Sequence, residues 1–219
     1  GLYRSAQTME TIQAWCKSIK HASDGRMITG AHWAVGDGGC QLMNTSPWID
    51  FGGGPGTYFN RRPGGHRRLD FIGEDLRRNG KWFFEEMDIR TKFYGAHFQG
   101  ADTIEKTLSV LKRTHAQIST QGVGGYWYEF RSSCYAYPAI WRLFRKQAEI
   151  SELHARDDRT MPARIAVIYG NQGLTKSTGD MRTSVLCRLG APYHAMRFNT
   201  LMASDPATLS YNMYIFIGK

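Results

Sequence analysis

The 219-residue chain reads as an α/β protein built on parallel sheet, and three observations carry that reading. Short apolar runs rich in β-branched and aromatic residues alternate with amphipathic segments of helical period, so that each helix serves as a crossover between parallel strands. Turn-forming glycines and prolines fall mostly between these segments. One charged stretch, "ARDDRTMPA", interrupts the alternation, which then resumes. The pattern predicts two domains, residues 1–156 and 163–219, joined by a linker.

Met9, Ile12, Trp15, Cys16 and Ile19 fall at helical spacing and predict an amphipathic helix over residues 9–20. "GRMITGAHWAV" reads as a short strand, and "WIDFGGGPGTY" as a second strand entering a glycine-rich turn. A short helix near Leu69–Arg78 leads to "KWFFEEMDIRT", where an apolar strand is followed at once by Glu85, Glu86 and Asp88. "ADTIEKTLSVLKRTHAQIST" begins with Asp102 and Glu105 in a capping-box arrangement and lines up Ile104, Leu108, Leu111 and Ile118. "GVGGYWYEF" is the fourth strand, followed by a helix over residues 138–155. Past the linker come the strand "RIAVIYG", the helix "DMRTSVLCRLG" stopped by Gly190 and Pro192, and the strands "HAMRFNTLM" and "YNMYIFI".

Composition narrows the function classes. With 42% hydrophobic and 13% aromatic residues the chain can bury a sizeable core. It holds no run of eighteen apolar residues, so no membrane-spanning helix is expected. The start, "GLYRSAQTME", has neither an initiator Met nor a signal-peptide pattern, and the end, "YNMYIFIGK", stops on an apolar strand. Both ends read as the interior of a longer polypeptide, with the cytoplasm favoured as its compartment. Cys16, Cys40, Cys134 and Cys187 are scattered without a C-x-x-C pair, which speaks against a zinc site or a disulfide framework. The net charge of +9 admits an acidic partner such as nucleic acid. Its densest run, "NRRPGGHRR", lies in a Gly/Pro loop and matches no nucleic-acid module, so the charge reads as a basic surface. "RIAVIYGNQGLTKST" comes close to a phosphate-binding loop, but Thr175 stands where the second glycine must let the backbone wrap the phosphates. No metal and no cofactor is expected.

The carboxylates after the third strand are the first candidates for chemistry. Strand side chains alternate, so Trp82, Phe84, Glu86 and Asp88 share one side, while Lys81, Phe83, Glu85 and Met87 share the other. The first set is apolar below and acidic above, as in a barrel interior that opens into a site at the strands' C-terminal ends. Glu86 is the working carboxylate on this reading, with Asp88 and Arg90 in support; the plainer alternative is a strand-end carboxylate paired with Arg90 or a lysine. In the fourth strand Trp127 and Glu129 share a face, a combination that suits a sugar, although a Trp is also common core. His32 and Trp33 end the first strand and would face the same mouth.

These segments resemble a known family. "IDFGGGPGTYFNRRPGG" is similar to the D-F-x-x-x-P-x-x-Y-x-x-R-x-x-G stretch of β-galactosidase-like glycoside hydrolases, the group around glycoside hydrolase family 42. "GKWFFEEMDIRT" resembles the segment that carries their nucleophile at the end of barrel strand seven, and "GGYWYEF" their eighth strand. "RLGAPYHAMRFNTLM" and "YNMYIFIGK" look like the opening of the flavodoxin-like domain that follows the barrel. The resemblance implies the C-terminal half, strands five to eight, of a (β/α)8 TIM barrel followed by an incomplete flavodoxin-like α/β domain. It implies a retaining glycosidase acting on β-galactosides or related carbohydrates, with Glu86 as nucleophile and Tyr58, Arg61, Trp127 and Glu129 lining the sugar subsite. The family's acid/base carboxylate ends strand four, upstream of Gly1, so the chain alone would be inactive. Only "AVGDGGCQLMNTSPW" separates the first two strands, too short for a full helix. Two partners besides the carbohydrate follow, a second copy of the chain or a complementing N-terminal half-barrel. The alternatives are a non-catalytic carbohydrate-binding relative, a degenerate fragment, or a basic nucleic-acid-associated α/β protein.

Overall fold

The structure, a computed structural model, describes residues 2–32, 40–55, 61–65, 72–94, 100–129, 133–157, 162–170, 185–188 and 190–217. It is an α/β protein with one four-stranded and one three-stranded parallel sheet. Two compact units share the chain: Gly1–Gly54, Asp70–Phe84 and Pro162–Lys219 form the first, Pro55–Leu69 and Glu85–Met161 the second. The four-stranded sheet has the order β1-β2-β3-β4, with β1 at Gly30–His32, β2 at Phe51–Pro55, β3 at Trp82–Met87 and β4 at Gly124–Trp127. Strand order therefore follows chain order.

In the first unit, helix α1 spans Leu2–Ala22, longer than its apolar spacing predicts, and buries Met9 and Cys16. It stops where Asp24 and Gly25 turn left-handed (φ 50° and 73°) and the Gly25 N–H donates back to the Lys20 carbonyl at 2.8 Å. Asp50 ties this end of α1 to the sheet, accepting from Lys20 Nζ and from the Thr29 N–H. Among the described residues of the link between β1 and β2 is a six-residue helix, α2 (Cys40–Thr45). Gly52 lets the next helix, α3 (Ile72–Arg78), approach β2: a Cβ there would overlap Met43 Sδ and press on Leu76 Cδ1 at 3.0 Å.

The three-stranded sheet, order β6-β5-β7, is formed by β5 (Ile165–Tyr169), β6 (Tyr193–Arg197) and β7 (Met213–Ile217). Tyr169 is level with Arg197 and Ile217 at its C-terminal edge. Val167, Leu186 and Ala195 pack on one face and Ile168, Met196 and Leu201 on the other, as a parallel sheet covered on both sides requires. The strand expected as far as Met202 ends at Arg197, and Phe198–Ala203 is a helix, α6. The cause lies far away in the sequence. Asp75 of α3 is fully buried, accepts the Arg197 N–H at 2.9 Å and the Tyr169 hydroxyl at 2.7 Å, and lies 3.5 Å from Arg197 Nε. With its N–H on that carboxylate, Arg197 takes φ −75°, ψ 155° and caps the helix. Burial, the largest influence, pushes the Asp75 carboxyl above the usual range. Of the helix expected at residues 180–190, Leu186–Arg188 is a single 3-10 turn; residues 180–184 and the phosphate-loop-like stretch 171–178 lie outside the described residues.

In the second unit, helices α4 (Ile104–Thr120) and α5 (Pro138–His154) pack together around Val110, Leu111 and Ile140. The N-cap lies one residue later than expected. Thr103, not Asp102, is the N-cap, its hydroxyl accepting the Lys106 N–H at 3.2 Å, while Asp102 reaches the Lys106 ammonium at 2.7 Å. Between the helices His115 Nε2 lies 3.0 Å from Ser151 Oγ, and burial holds its ring below the ordinary histidine pKa.

Candidate active site on the second unit

The alternation expected along β3 is present. Trp82 and Phe84 are 55% and 36% exposed, while Phe83 and Met87 are buried. Met87 packs on Ile118 of α4, which identifies its side as the one the helices cover. Glu86 therefore leaves β3 on the side away from the helices, and Glu85 is fully buried on the other. Strand geometry runs through the acid cluster, so both glutamates belong to β3 rather than to the loop after it.

Tyr126 of β4 is the neighbour that sequence reasoning missed. Its hydroxyl donates to Glu86 Oε2 at 3.1 Å. Burial, and then the Glu86 charge, push the phenol up to about 12, so it stays a donor throughout the working pH range. A phenol donating to one carboxylate oxygen fixes that carboxylate's rotamer without removing its charge.

Trp127, expected beside the site, faces the other way. Its indole stacks on Phe144 of α5 with centroids 4.9 Å apart and planes 18° apart, and meets Tyr135 edge-on. It completes the core shared with Val110 and Leu111. Gly125 lies on that same helix-facing side of β4, where a Cβ would come within 2.9 Å of Ile118 Cδ1. Gly125 has no side chain to mark the face of β4 that the helices cover, so nothing along the strand tells a core Trp127 from one beside the site. Glu129 itself accepts the Cys134 N–H at 2.8 Å and so holds the turn after β4, where Ser133 is left-handed at φ 75°.

Beyond Glu86 the chain turns, with the Asp88 N–H on the Glu86 carbonyl at 3.0 Å. Asp88 is almost fully buried and receives two arginines. Arg90 grips it with both terminal nitrogens (2.7 and 2.9 Å), and Arg61 approaches at 3.1 Å. Arg90 also lies over the Tyr94 ring at 4.7 Å. Arg113 of α4 in turn holds the segment that carries Arg61, donating to the carbonyls of Arg61 (3.2 Å), Arg62 (3.0 Å) and Gly65. Asp88 and Arg90 thus pair with each other at the strand end, with Arg61 in the same ion cluster and not on its own.

Within the second unit the structure pairs Glu86 with Tyr126 and groups Asp88 with Arg61 and Arg90. His32 ends β1 in the first unit. Tyr58 and Trp33 lie outside the described residues. Among the described residues, no three His, Cys, Asp or Glu side chains group as a metal site, and no helix is long and apolar enough to cross a membrane. Comparison with protein-family models, with curated proteins and with solved structures finds no match.

Proposed function

We propose that the chain is part of a retaining glycoside hydrolase acting on β-galactosides or related carbohydrates, with Glu86 as its nucleophile. The observation that carries this reading is the Glu86–Tyr126 pair: a mostly buried carboxylate near the C-terminal end of a parallel strand, oriented by a phenol from the next strand. In such a reaction Glu86 attacks the anomeric carbon as the glycosidic bond breaks. A second carboxylate, roughly 5 Å away, protonates the leaving oxygen and then activates the water that releases the sugar. Tyr126 is a positioning residue, and the ion cluster of Asp88, Arg61 and Arg90 keeps the strand end rigid. Strands β1 to β4, in chain order in one sheet, correspond on this reading to strands five to eight of a (β/α)8 barrel. The β6-β5-β7 sheet corresponds to the opening of a flavodoxin-like domain. The acid/base then belongs to the other half of the barrel, which pairs at the β1 and β4 edges either from the same polypeptide or from a second chain.

A mechanism-based label separates nucleophile from turnover. Dinitrophenyl 2-deoxy-2-fluoro-β-galactoside carries a leaving group that needs no protonation, so Glu86 can be trapped without the acid/base. Peptide mass spectrometry should place the fluorogalactosyl adduct on Glu86, and Glu86→Gln should abolish it. Tyr126→Phe should slow labelling without moving the adduct. No adduct, or an adduct on Glu85 or Glu129, would overturn the assignment.

A further inference from the structure

Helix α5 is held on α4 by two kinds of contact along its length. Its N-terminal half carries the apolar part. Ile140 is fully buried with Val110 and Leu111 of α4, and Leu143 and Phe144 pack against the same cluster. Beyond Phe144 the buried residue of α5 is Gln147, while Leu153 is 67% exposed. The C-terminal half therefore rests on polar side chains. Gln147 Nε2 donates to the Leu111 carbonyl at 3.3 Å, and Ser151 Oγ lies 3.0 Å from His115 Nε2. Gln147, Ser151 and His154 follow at helical spacing and share one side of α5.

His115 sits at the centre of that contact. Only 8% of it is exposed, and burial favours the neutral ring. The Gln147 backbone carbonyl favours the charged ring, and His154 opposes it. Helix α4 also packs on β4, whose titratable group, Tyr126, has its hydroxyl on Glu86. On α4 itself Lys112, one turn before His115, is exposed. Among the described residues no carboxylate acts on His115, so a proton on its ring is offset by no opposite charge. Gln147 Oε1 and His154 Nδ1 are buried with no hydrogen-bond partner among the described residues. Both would regain water if this half of α5 parted from α4.

We propose that His115 is an acid-released latch for the C-terminal half of α5: a proton taken up by its ring lets residues 147–154 leave α4, while the half anchored at Ile140 and Phe144 stays docked. A charged imidazole is better solvated outside the seam than inside it. Opening exposes little apolar surface, because the apolar contacts lie in the other half. Segments with few buried apolar contacts are the ones that open without the rest. The latch stands on the helix seam and is independent of the Glu86 reading.

Hydrogen exchange of the full chain, followed by mass spectrometry at pH 7.5 and pH 5, tests it. Each rate is divided by that of the same peptide unfolded, which removes the intrinsic effect of pH. For a ring that titrates at its ordinary 6.5 once released, the gain in opening at pH 5 is bounded at about thirtyfold. Protection over residues 147–154 should fall at least fivefold on acidification, and over 139–144 less than twofold. In His115→Gln, checked for folding by circular dichroism, protection over 147–154 should stay within twofold across the same range. In the unaltered chain the ring signal of His115, followed by NMR, should titrate over the pH interval in which protection is lost. No fall, an equal fall in both halves, the full fall kept in His115→Gln, or a ring that titrates outside that interval would overturn the latch.

Discussion

Replacing Asp88 by alanine should be among the most damaging single changes in the second unit. Asp88 and Arg61 are nearly fully buried, and Arg90 is only 12% exposed at its side chain. Removing the carboxylate leaves two guanidinium groups that both faced it, and like charges in a buried, low-dielectric position repel. The lost charge-assisted hydrogen bonds bring the total into the range of about 3–5 kcal/mol seen when one partner of a buried ion pair is removed. For a chain of this size about 4 kcal/mol corresponds to a fall in Tm of about 8–16 °C, measured by calorimetry or circular dichroism. The double variant Asp88→Ala with Arg61→Met removes one of the two like charges and should recover at least about 1 kcal/mol. A loss below about 1 kcal/mol for Asp88→Ala, or a double variant worse than the single one, would refute this account of the cluster.

Trp127→Ala should destabilise the second unit by about 3 kcal/mol, read from urea unfolding, because it empties the space stacked on Phe144; a stable variant with altered sugar binding would return the indole to the site. In an active full-length parent, Glu86→Gln should abolish turnover with the fold intact, whereas Glu85→Gln should change stability more than rate, and equal rate losses would contradict the strand parity. His115 titrates below its ordinary 6.5, so the fold resists the proton that the unfolded chain accepts. Stability should therefore be fully present above pH 6.5 and fall as the pH drops through the lowered folded value, and His115→Gln should flatten that fall in melts between pH 7.5 and 5.

Much of this was legible from local pattern, and the failures share one physical cause. On β3 an uninterrupted run of side chains gave the correct faces for Trp82, Phe84, Glu86, Phe83 and Met87. On β4, Gly124 and Gly125 erase the apolar marker of the covered face, and in sequence a large ring at Trp127 fits a core as well as a sugar site. At the start of α4, Asp102 and Thr103 both offer a side-chain oxygen, and sequence cannot say which one the backbone places at the cap. The end of β6 is set by Asp75, 122 residues earlier, and nothing around Arg197 in the sequence signals that a carboxylate will claim its N–H. Patterns of period two or 3.6 report what a residue's neighbours do. They are silent about partners that only the fold supplies.

The Asp75–Arg197 bond also sets an order of events during synthesis. At about 5–20 residues per second, Arg197 emerges about 6–24 s after Asp75, and Tyr169 arrives only somewhat earlier. For that interval α3 has neither the sheet that accepts its carboxylate nor the surface that covers it. The second unit ends at Met161, so its segments are all translated before the last part of the first begins. The first unit, which opens with α1, is thus the later one to finish: once the second unit is complete, α3 still lacks the strands that take the Asp75 carboxylate.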